Sequence, residues 1–397
     1  MILVTNVGNQ FNNLNKNIME IKHILITGGA GFIGSNLANF LISNGHKIRV
    51  FDNLSPQIHG EDSNNSFLFK SLNENIEFIK GSVTNRNELK SALEGIDTIV
   101  HFAAETGTGQ SMYNIQHYSD VNINGTSILL DLIANNPTNV KKIIVASSRA
   151  VYGEGKYHCS NHGFVYPNSR LDEDMKMGDF LVRCPFCGSP SAFALTDEET
   201  PIKPSSLYGI TKSTQEQMVL TVGKAIGIPA IAFRYQNVYG PGQSLSNPYT
   251  GILSIFSTRI RNHSSINIFE DGLESRDFVY IDDVVNITSK AIETTEPIFD
   301  VFNVGSGIST NVLKVAEALS SHFKINVPIK ISGNYRIGDI RHNVADLKKV
   351  KKVFGFEPKF FFEEGLAKFV EWVKTEEIQI DSYENSLIEL KLKGLLK

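Results

Sequence analysis

The sequence predicts an α/β fold: a doubly wound parallel sheet, with a smaller α/β C-terminal lobe and a cysteine-bearing insert. Three observations predict it. Short apolar runs alternate with amphipathic stretches through the first half of the chain. The first apolar run ends in a glycine-rich turn that opens a helix. The three cysteines, Cys159, Cys184 and Cys187, all fall within one Gly- and Pro-containing stretch that breaks the alternation.

Taken in order, KHILIT (22–27) is a strand, and FIGSNLANFLISNG is the amphipathic helix after the turn, stopped by Gly45. KIRVFD (47–52) is the next strand, completing one βαβ unit. NIEFIKGSV and DTIVHFAA read as strands on either side of the helix RNELKSALEG. NGTSILLDLIANN is a helix, KKIIVASS a strand, LYGITKSTQEQMVLTVGKAIG a helix and PAIAFRYQNVYG a strand. Ligands of such a sheet lie at the carboxyl ends of its strands. The expected division is a dinucleotide-binding domain over 20–236 and 276–305, with an insert at 153–203, and a substrate lobe over 237–275 and 306–375. Residues 376–397 read as a charged, Leu-containing helical tail without evident chemistry. Residues 1–18 are Asn-rich and are expected to be a disordered extension, with Met19 reading as a natural start.

Bulk properties exclude several classes. The chain has 397 residues, 41% hydrophobic and 20% charged, with a net charge of −4. That fits a soluble globular protein. No basic excess points to nucleic acid. No apolar stretch is long enough to span a membrane, and the N-terminus lacks the pattern of a secretory signal. An odd, small number of cysteines suggests a reducing compartment rather than a disulfide framework.

Thr27 is followed by glycines at 28, 31 and 34. Gly28 permits the tight turn, Gly31 lets backbone approach a pyrophosphate, and Gly34 lets helix and strand pack closely. The helix N-terminus, with Phe32 and Ile33, then faces the phosphates. Such loops often only turn a chain; here the strand before and helix after supply the required context. Asp52, followed by Asn53, ends the second strand, where a carboxylate accepts from adenosine ribose hydroxyls and repels a 2′-phosphate. The cofactor expected is therefore NAD rather than NADP. A plain turn residue is the structural alternative for Asp52.

Tyr208 and Lys212 form a Tyr-x-x-x-Lys on one helical face. An ammonium beside a phenol favours the phenolate, and it can also hydrogen-bond a nicotinamide ribose. The pattern alone is common. It gains weight from Ser148 at a strand end, whose bland role is a cap. In the insert, Cys159-x2-His162 and Cys184-x2-Cys187 have the spacing of a tetrahedral zinc site with three thiolates and one imidazole, His162 being preferred over His158. Four protein ligands would make the zinc structural. A reduced Cys-x-x-Cys in a plain loop is the alternative.

TGGAGFIG, the strand-end Asp52, HFAA (101–104), VNINGT (121–126), SSRAVYG (147–153), YGITK (208–212), RYQNVYGP (234–241), RDFVYIDDV (276–284) and RIGDIRH (336–342) occur in this order. Together, over about residues 20–375, they resemble the extended short-chain dehydrogenase/reductase family with its Rossmann fold, which includes nucleotide-sugar epimerases and dehydratases. The resemblance implies a catalytic group of Ser148, Tyr208 and Lys212. It implies cofactor contacts at Ala103, Asn122, Tyr208 and Lys212, with Asn122 also positioning the active-site helix. It implies substrate contacts at Thr106, Ser111, Ser148, Asn237, Arg276 and Arg336, arginine suiting a diphosphate because its planar fork matches phosphate oxygens. A surface ion pair is the bland reading of any one arginine. Ser82 departs from the Asp often found there, which puts an adenine contact in doubt.

Dehydratases of the family carry Asp-Glu directly after the hydroxyl residue; here Arg149 and Ala150 stand there. Elimination therefore lacks its usual proton donor and acceptor. That leaves NAD-dependent 4-epimerisation through a transient 4-keto sugar, with nucleotide-sugar decarboxylation or net dehydrogenation as alternatives. A catalytically silent NAD- or nucleotide-sugar-binding regulator is the non-enzymatic alternative. The cysteine insert after SSRAVYGEG resembles the dTDP-L-rhamnose 4-epimerase subgroup, with UDP-hexoses or UDP-uronic acids as rival substrates. The resemblance also implies a nucleotide-diphosphate sugar as partner, a cytoplasmic homodimer and a place in polysaccharide biosynthesis.

Overall fold

A computed structural model describes residues 20–249 and 251–397; the expected extension at 1–18 lies outside the described residues. Seven parallel strands form the main sheet: β1 (His23–Thr27), β2 (Lys47–Asp52), β3 (Glu77–Lys80), β4 (Thr98–His101), β5 (Lys142–Ser148), β6 (Ala230–Tyr235) and β7 (Phe299–Val304). Their spatial order is 3-2-1-4-5-6-7, all pairs parallel. The chain winds outward from β1 in one direction and then, from β4, in the other. This reversal opens a crevice between the carboxyl ends of β1 and β4. β4 and β6 are buried along their whole length. That is why the inner strands read as continuous apolar runs rather than alternations.

The flanking helices include α1 (Phe32–Ser43), α2 (Arg86–Ala92), α3 (Gly125–Asn135), α4 (Leu207–Ile226) and α5 (Ile281–Glu293). Ser206 caps α4 by accepting from the Gly209 amide, and Gly227 ends it in the left-handed region at φ 73°. The expected helix at 124–136 is preceded by a π turn over Asp120–Asn124.

The expected strand PAIAFRYQNVYG is in fact two. The Gln236 amide makes the last bond to the large sheet, donating to Val304 O at 2.8 Å. Asn237–Tyr239 then pairs with Phe278–Tyr280 in a second sheet. A strand that changes partner keeps its period of two, so the run gives no sign of the switch. The seventh strand was likewise not legible as a separate element.

One apolar core runs from Ile24 of β1 to Val373 in the helix Phe362–Thr375. The sheet and the C-terminal lobe are therefore packed as one body. The insert leaves and rejoins the fold at one point: the Lys203 amide donates to Val151 O at 3.0 Å. Gly153 there has φ 60°, and a side chain on it would meet Lys203 O at 2.1 Å. Tyr157–Cys159 is the centre of a small three-stranded sheet within the insert. Among the described residues no helix is long and apolar enough to cross a membrane.

Candidate active site

A cavity of about 550 Å³ lies at the carboxyl ends of the strands and reaches into the C-terminal lobe. Its floor begins at the glycine loop. Gly28 has φ 67°, and a Cβ there would lie 2.7 Å from the Ala103 amide nitrogen. A Cβ on Gly34 would lie 2.5 Å from Gly28 O, whereas Gly31 meets only Gly28 O at 3.2 Å. The first and third glycines are thus required by the protein's own packing. Gly31 leaves open backbone at the start of α1, the place an anionic ligand would use. Phe32, Ile33, Asn53 and Ala103 also line the cavity.

Asp52 closes β2 and faces the same loop. Its Oδ2 accepts from the Ala30 amide at 3.1 Å and its Oδ1 from the Leu54 amide at 2.8 Å. Burial pushes its carboxyl up, and these amides together with His59, 4.0 Å away, pull it back. Gly loop, helix N-terminus and strand-end carboxylate form a cradle that fits NAD. Ser82 also lines the cavity but offers no carboxylate; its hydroxyl pairs with Thr84 Oγ1 at 2.8 Å.

Ser148 ends β5, and Tyr208 sits in the first turn of α4. Both side chains line the cavity, with the Ser148 hydroxyl a polar neighbour of the Tyr208 phenol. Ser148 Oγ also accepts from the Ala150 amide at 3.2 Å. Burial pushes the Tyr208 phenol up, and the neighbouring Ser148 hydroxyl and the Arg149 charge pull against it. Lys212 lies one turn further on, buried, its Nζ donating to Gln215 Oε1 at 2.7 Å. Burial brings its ammonium down to about 7. The expected lowering of the Tyr208 phenol by Lys212 therefore needs correction. In this state Arg149 exerts that pull, because the lysine is turned to Gln215 and has lost much of its hold on a proton.

Two expected contact residues act behind the cavity wall. Asn122 is fully buried and does not line the cavity. It accepts from the Glu105 amide at 2.7 Å and donates to Glu105 O at 3.1 Å and Thr211 Oγ1 at 2.9 Å. It ties the loop after β4 to α4, so it positions both rather than touching a cofactor. Ser111 is likewise buried and off the cavity; its Oγ accepts the Tyr208 amide at 3.0 Å. Thr106 does line the cavity, its carbonyl accepting from Tyr118 Oη at 2.6 Å.

The cavity also carries a cationic cluster. Arg276 donates through Nη2 to Asp339 Oδ1 at 2.8 Å, and Arg336 donates to Asp339 Oδ2 at 2.6 Å. Arg149 donates to Asn237 Oδ1 at 2.6 Å. Burial, and the neighbouring Arg276, bring the Arg149 guanidinium down to about 9. Burial opposes ionisation of Asp339, but Arg336, Arg276 and Arg149 together hold its carboxyl well below the usual range. Three guanidiniums against Asp339 and Glu274, whose carboxyl burial pushes up to about 7, leave a local positive excess suited to a diphosphate. Arg149 and Asp339 were not singled out as contacts. Their signals were present, as the residue after Ser148 and as the acid three residues past Arg336. The tail at 376–397, expected to lack chemistry, also needs correction: Tyr383, Ser386, Leu387 and Leu390 line this cavity.

In the insert, Cys159, His162, Cys184 and Cys187 present one ligand atom each, all within 4.8 Å of one another. Cys159 Sγ lies 3.7 Å from Cys187 Sγ and 3.7 Å from His162 Nδ1, and Cys184 Sγ lies 3.6 Å from His162 Nδ1. A tetrahedral zinc needs ligand–ligand edges of about 3.5–3.8 Å for its usual bond lengths. The donor set fits. His158 is exposed and packs against Phe164 instead.

The chain resembles known proteins along nearly its whole length. It is 35% identical over 366 residues to a dTDP-L-rhamnose 4-epimerase of Burkholderia thailandensis, covering 92% of this chain and 98% of that protein. Its fold superposes with a TM-score of 0.71 on the UDP-glucose 4-epimerase of Thermotoga maritima, solved with UDP-glucose. The two are 30% identical, with 89% of this chain and 98% of that one covered. It superposes with a TM-score of 0.72 on the UDP-glucuronic acid 4-epimerase of Bacillus cereus, solved with UDP-glucuronic acid and NAD. Here the identity is 25%, with 89% and 99% covered. Residues 24–170 and 182–305 match the family described as NAD dependent epimerase/dehydratase, the interruption falling inside the cysteine insert. The chain belongs to the NAD dependent epimerase/dehydratase family.

Proposed function

We propose that the protein is a nucleotide-sugar 4-epimerase acting through a transient 4-keto sugar, and that its substrate pair is dTDP-L-rhamnose and dTDP-6-deoxy-L-talose. The observation that carries this reading is that Ser148 and Tyr208 line one cavity with both the glycine loop and the arginine cluster. The identity to a dTDP-L-rhamnose 4-epimerase over nearly its full length favours that substrate. UDP-hexoses and UDP-uronic acids remain the rival substrates, being those of the two solved relatives.

NAD, when bound, supplies the hydride acceptor and donor for C4. Its ribose and phosphates would lie along Asp52, Gly28, Gly31 and the start of α1. Tyr208 Oη takes the C4 hydroxyl proton and later returns it, and Ser148 Oγ relays or orients that proton. Arg149 favours the phenolate form of Tyr208, and Lys212 lies within a turn to bind the nicotinamide ribose. Arg276 and Arg336 hold the diphosphate while the sugar turns about it. Strong remote binding leaves the ring free to present its other face. Arg149 and Ala150 supply no acid/base pair for loss of water, which favours epimerisation over dehydration.

The zinc expected at Cys159, His162, Cys184 and Cys187 has a structural role in this reading, since four protein ligands leave no open position. The homodimer expected from the family resemblance belongs to the same reading. The test is to incubate the purified protein separately with dTDP-L-rhamnose, UDP-glucose and UDP-glucuronate and look for the C4 epimer by NMR. Inversion of the first is the expected result. No turnover of any of the three, with NAD still bound, would favour a binding protein over an enzyme.

A further inference from the structure

We infer that the C-terminal helix is the sugar-facing wall of the cavity and selects hexoses that are uncharged and apolar at C6; this rests on the epimerase reading above. The helix Tyr383–Leu392 turns Tyr383, Ser386, Leu387 and Leu390 into the cavity that Tyr208 lines. Leu390 reaches the catalytic end of it. Its Cδ2 lies 3.4 Å from the place a side chain on Gly109 would occupy. Gly109 belongs to the short helix Thr108–Ser111, whose Ser111 Oγ holds the Tyr208 amide at 3.0 Å. A hexose with C4 at Tyr208 therefore has this helix as a near neighbour.

The helix is built in as a wall. Arg259 pairs with Asp381 at 3.2 Å and Glu384 at 2.9 Å, and lies over the Tyr383 ring at 4.8 Å. Tyr249 donates to Glu389, and Tyr113 donates to Tyr249 at 3.0 Å. Beyond the helix, the Tyr335 amide donates to Lys397 O at 2.8 Å and the Lys397 amide returns a bond of 3.0 Å. The Ile337 amide donates to Leu395 O at 2.9 Å. These bonds bracket Arg336, so the last residues fix both the wall and a diphosphate ligand.

The chemistry of the face sets the preference. Two leucines and a tyrosine ring give an apolar surface, and the Ser386 hydroxyl is committed to Tyr383 O at 2.6 Å. Burying a methyl against such a surface is favourable; burying a carboxylate there without a partner is costly. None of the four helix residues that line the cavity is a cation, and the acid nearby, Glu389, is bound to Tyr249.

The experiment compares kcat/KM for dTDP-L-rhamnose and UDP-glucuronate in the wild-type enzyme, in Leu387→Ala/Leu390→Ala and in Leu390→Arg. The alanine variant should raise KM for dTDP-L-rhamnose about tenfold, with a smaller change in kcat. Leu390→Arg should shift the ratio toward the uronate by at least tenfold. Ratios and KM within twofold of wild type in both variants would overturn the proposal. Should the variants fail to fold, amide exchange on the wild-type enzyme decides. Residues 383–392 should slow more with dTDP-L-rhamnose than with dTDP; equal slowing by both overturns the proposal. A wild-type enzyme that inverts none of the sugars sinks the epimerase reading by itself, and the exchange measurement still decides the wall.

Discussion

The backbone amide of Tyr208 donates to the side chain of Ser111 at 3.0 Å, so a residue outside the cavity anchors the turn that carries the phenol. Removing that acceptor leaves an amide at the start of α4 without its partner and loosens the first turn. Ser111→Ala should lower kcat by about tenfold to a hundredfold, the scale of misplacing a reacting group by roughly an ångström. KM should change much less. Steady-state kinetics on the NAD-loaded enzyme would check this split.

Tyr208→Phe removes the proton acceptor at C4 and keeps the ring. The expected loss in kcat is about 10²- to 10⁴-fold, with NAD retained. Bound nucleotide, measured after denaturing the variant, separates a catalytic loss from a cofactor loss. Full activity in this variant would place the base elsewhere.

Lys212 predicts a pH-dependent stability. Burial brings its folded-state pKa to about 7, against about 10.4 in an unfolded chain. Between these values the unfolded chain binds more protons than the folded one, so stability rises with pH. The destabilising contribution is full below pH 7, shrinks through the window and is gone above about pH 10.4. Lys212→Met should raise Tm of the nucleotide-free protein at pH 7, and the gap to wild type should close toward pH 10. A gap independent of pH would contradict the assignment.

The insert should hold one zinc per chain, measurable by elemental analysis of protein purified without chelator. Stripping the metal, or Cys184→Ser, should make residues 153–203 sensitive to protease while leaving the main sheet folded. Both ends of the insert meet at Gly153 and Lys203, so loosening it need not unravel the strands on either side. Metal-free protein of unchanged protease resistance would defeat the zinc proposal.

Much of the site was legible because its parts are local. The loop Gly28–Gly34 needs glycine where backbone meets backbone, and Tyr208 and Lys212 share a helix face by spacing alone. Cys159, His162, Cys184 and Cys187 advertise their chemistry by type. What spacing could not show is which of these side chains face a ligand. Asn122 and Ser111 carry motif positions yet spend their hydrogen bonds on Glu105, Thr211 and Tyr208. Lys212 has the right place on its helix, but its partner, Gln215, is set by how α4 packs.

The residues alone determined the α/β class and the glycine loop, and they marked Tyr208 with Lys212, Cys159 with His162 and Cys184 with Cys187 as candidate pairs. Each follows from local periodicity or from chemistry that one segment carries. Tertiary structure decided that Asn237–Tyr239 leaves the large sheet, that Arg149, Arg276 and Arg336 gather round Asp339, and that Tyr383, Leu387 and Leu390 close the cavity. Those outcomes join segments far apart in the chain. An amphipathic pattern says that a helix has a face to bury, and only the packed fold says against what.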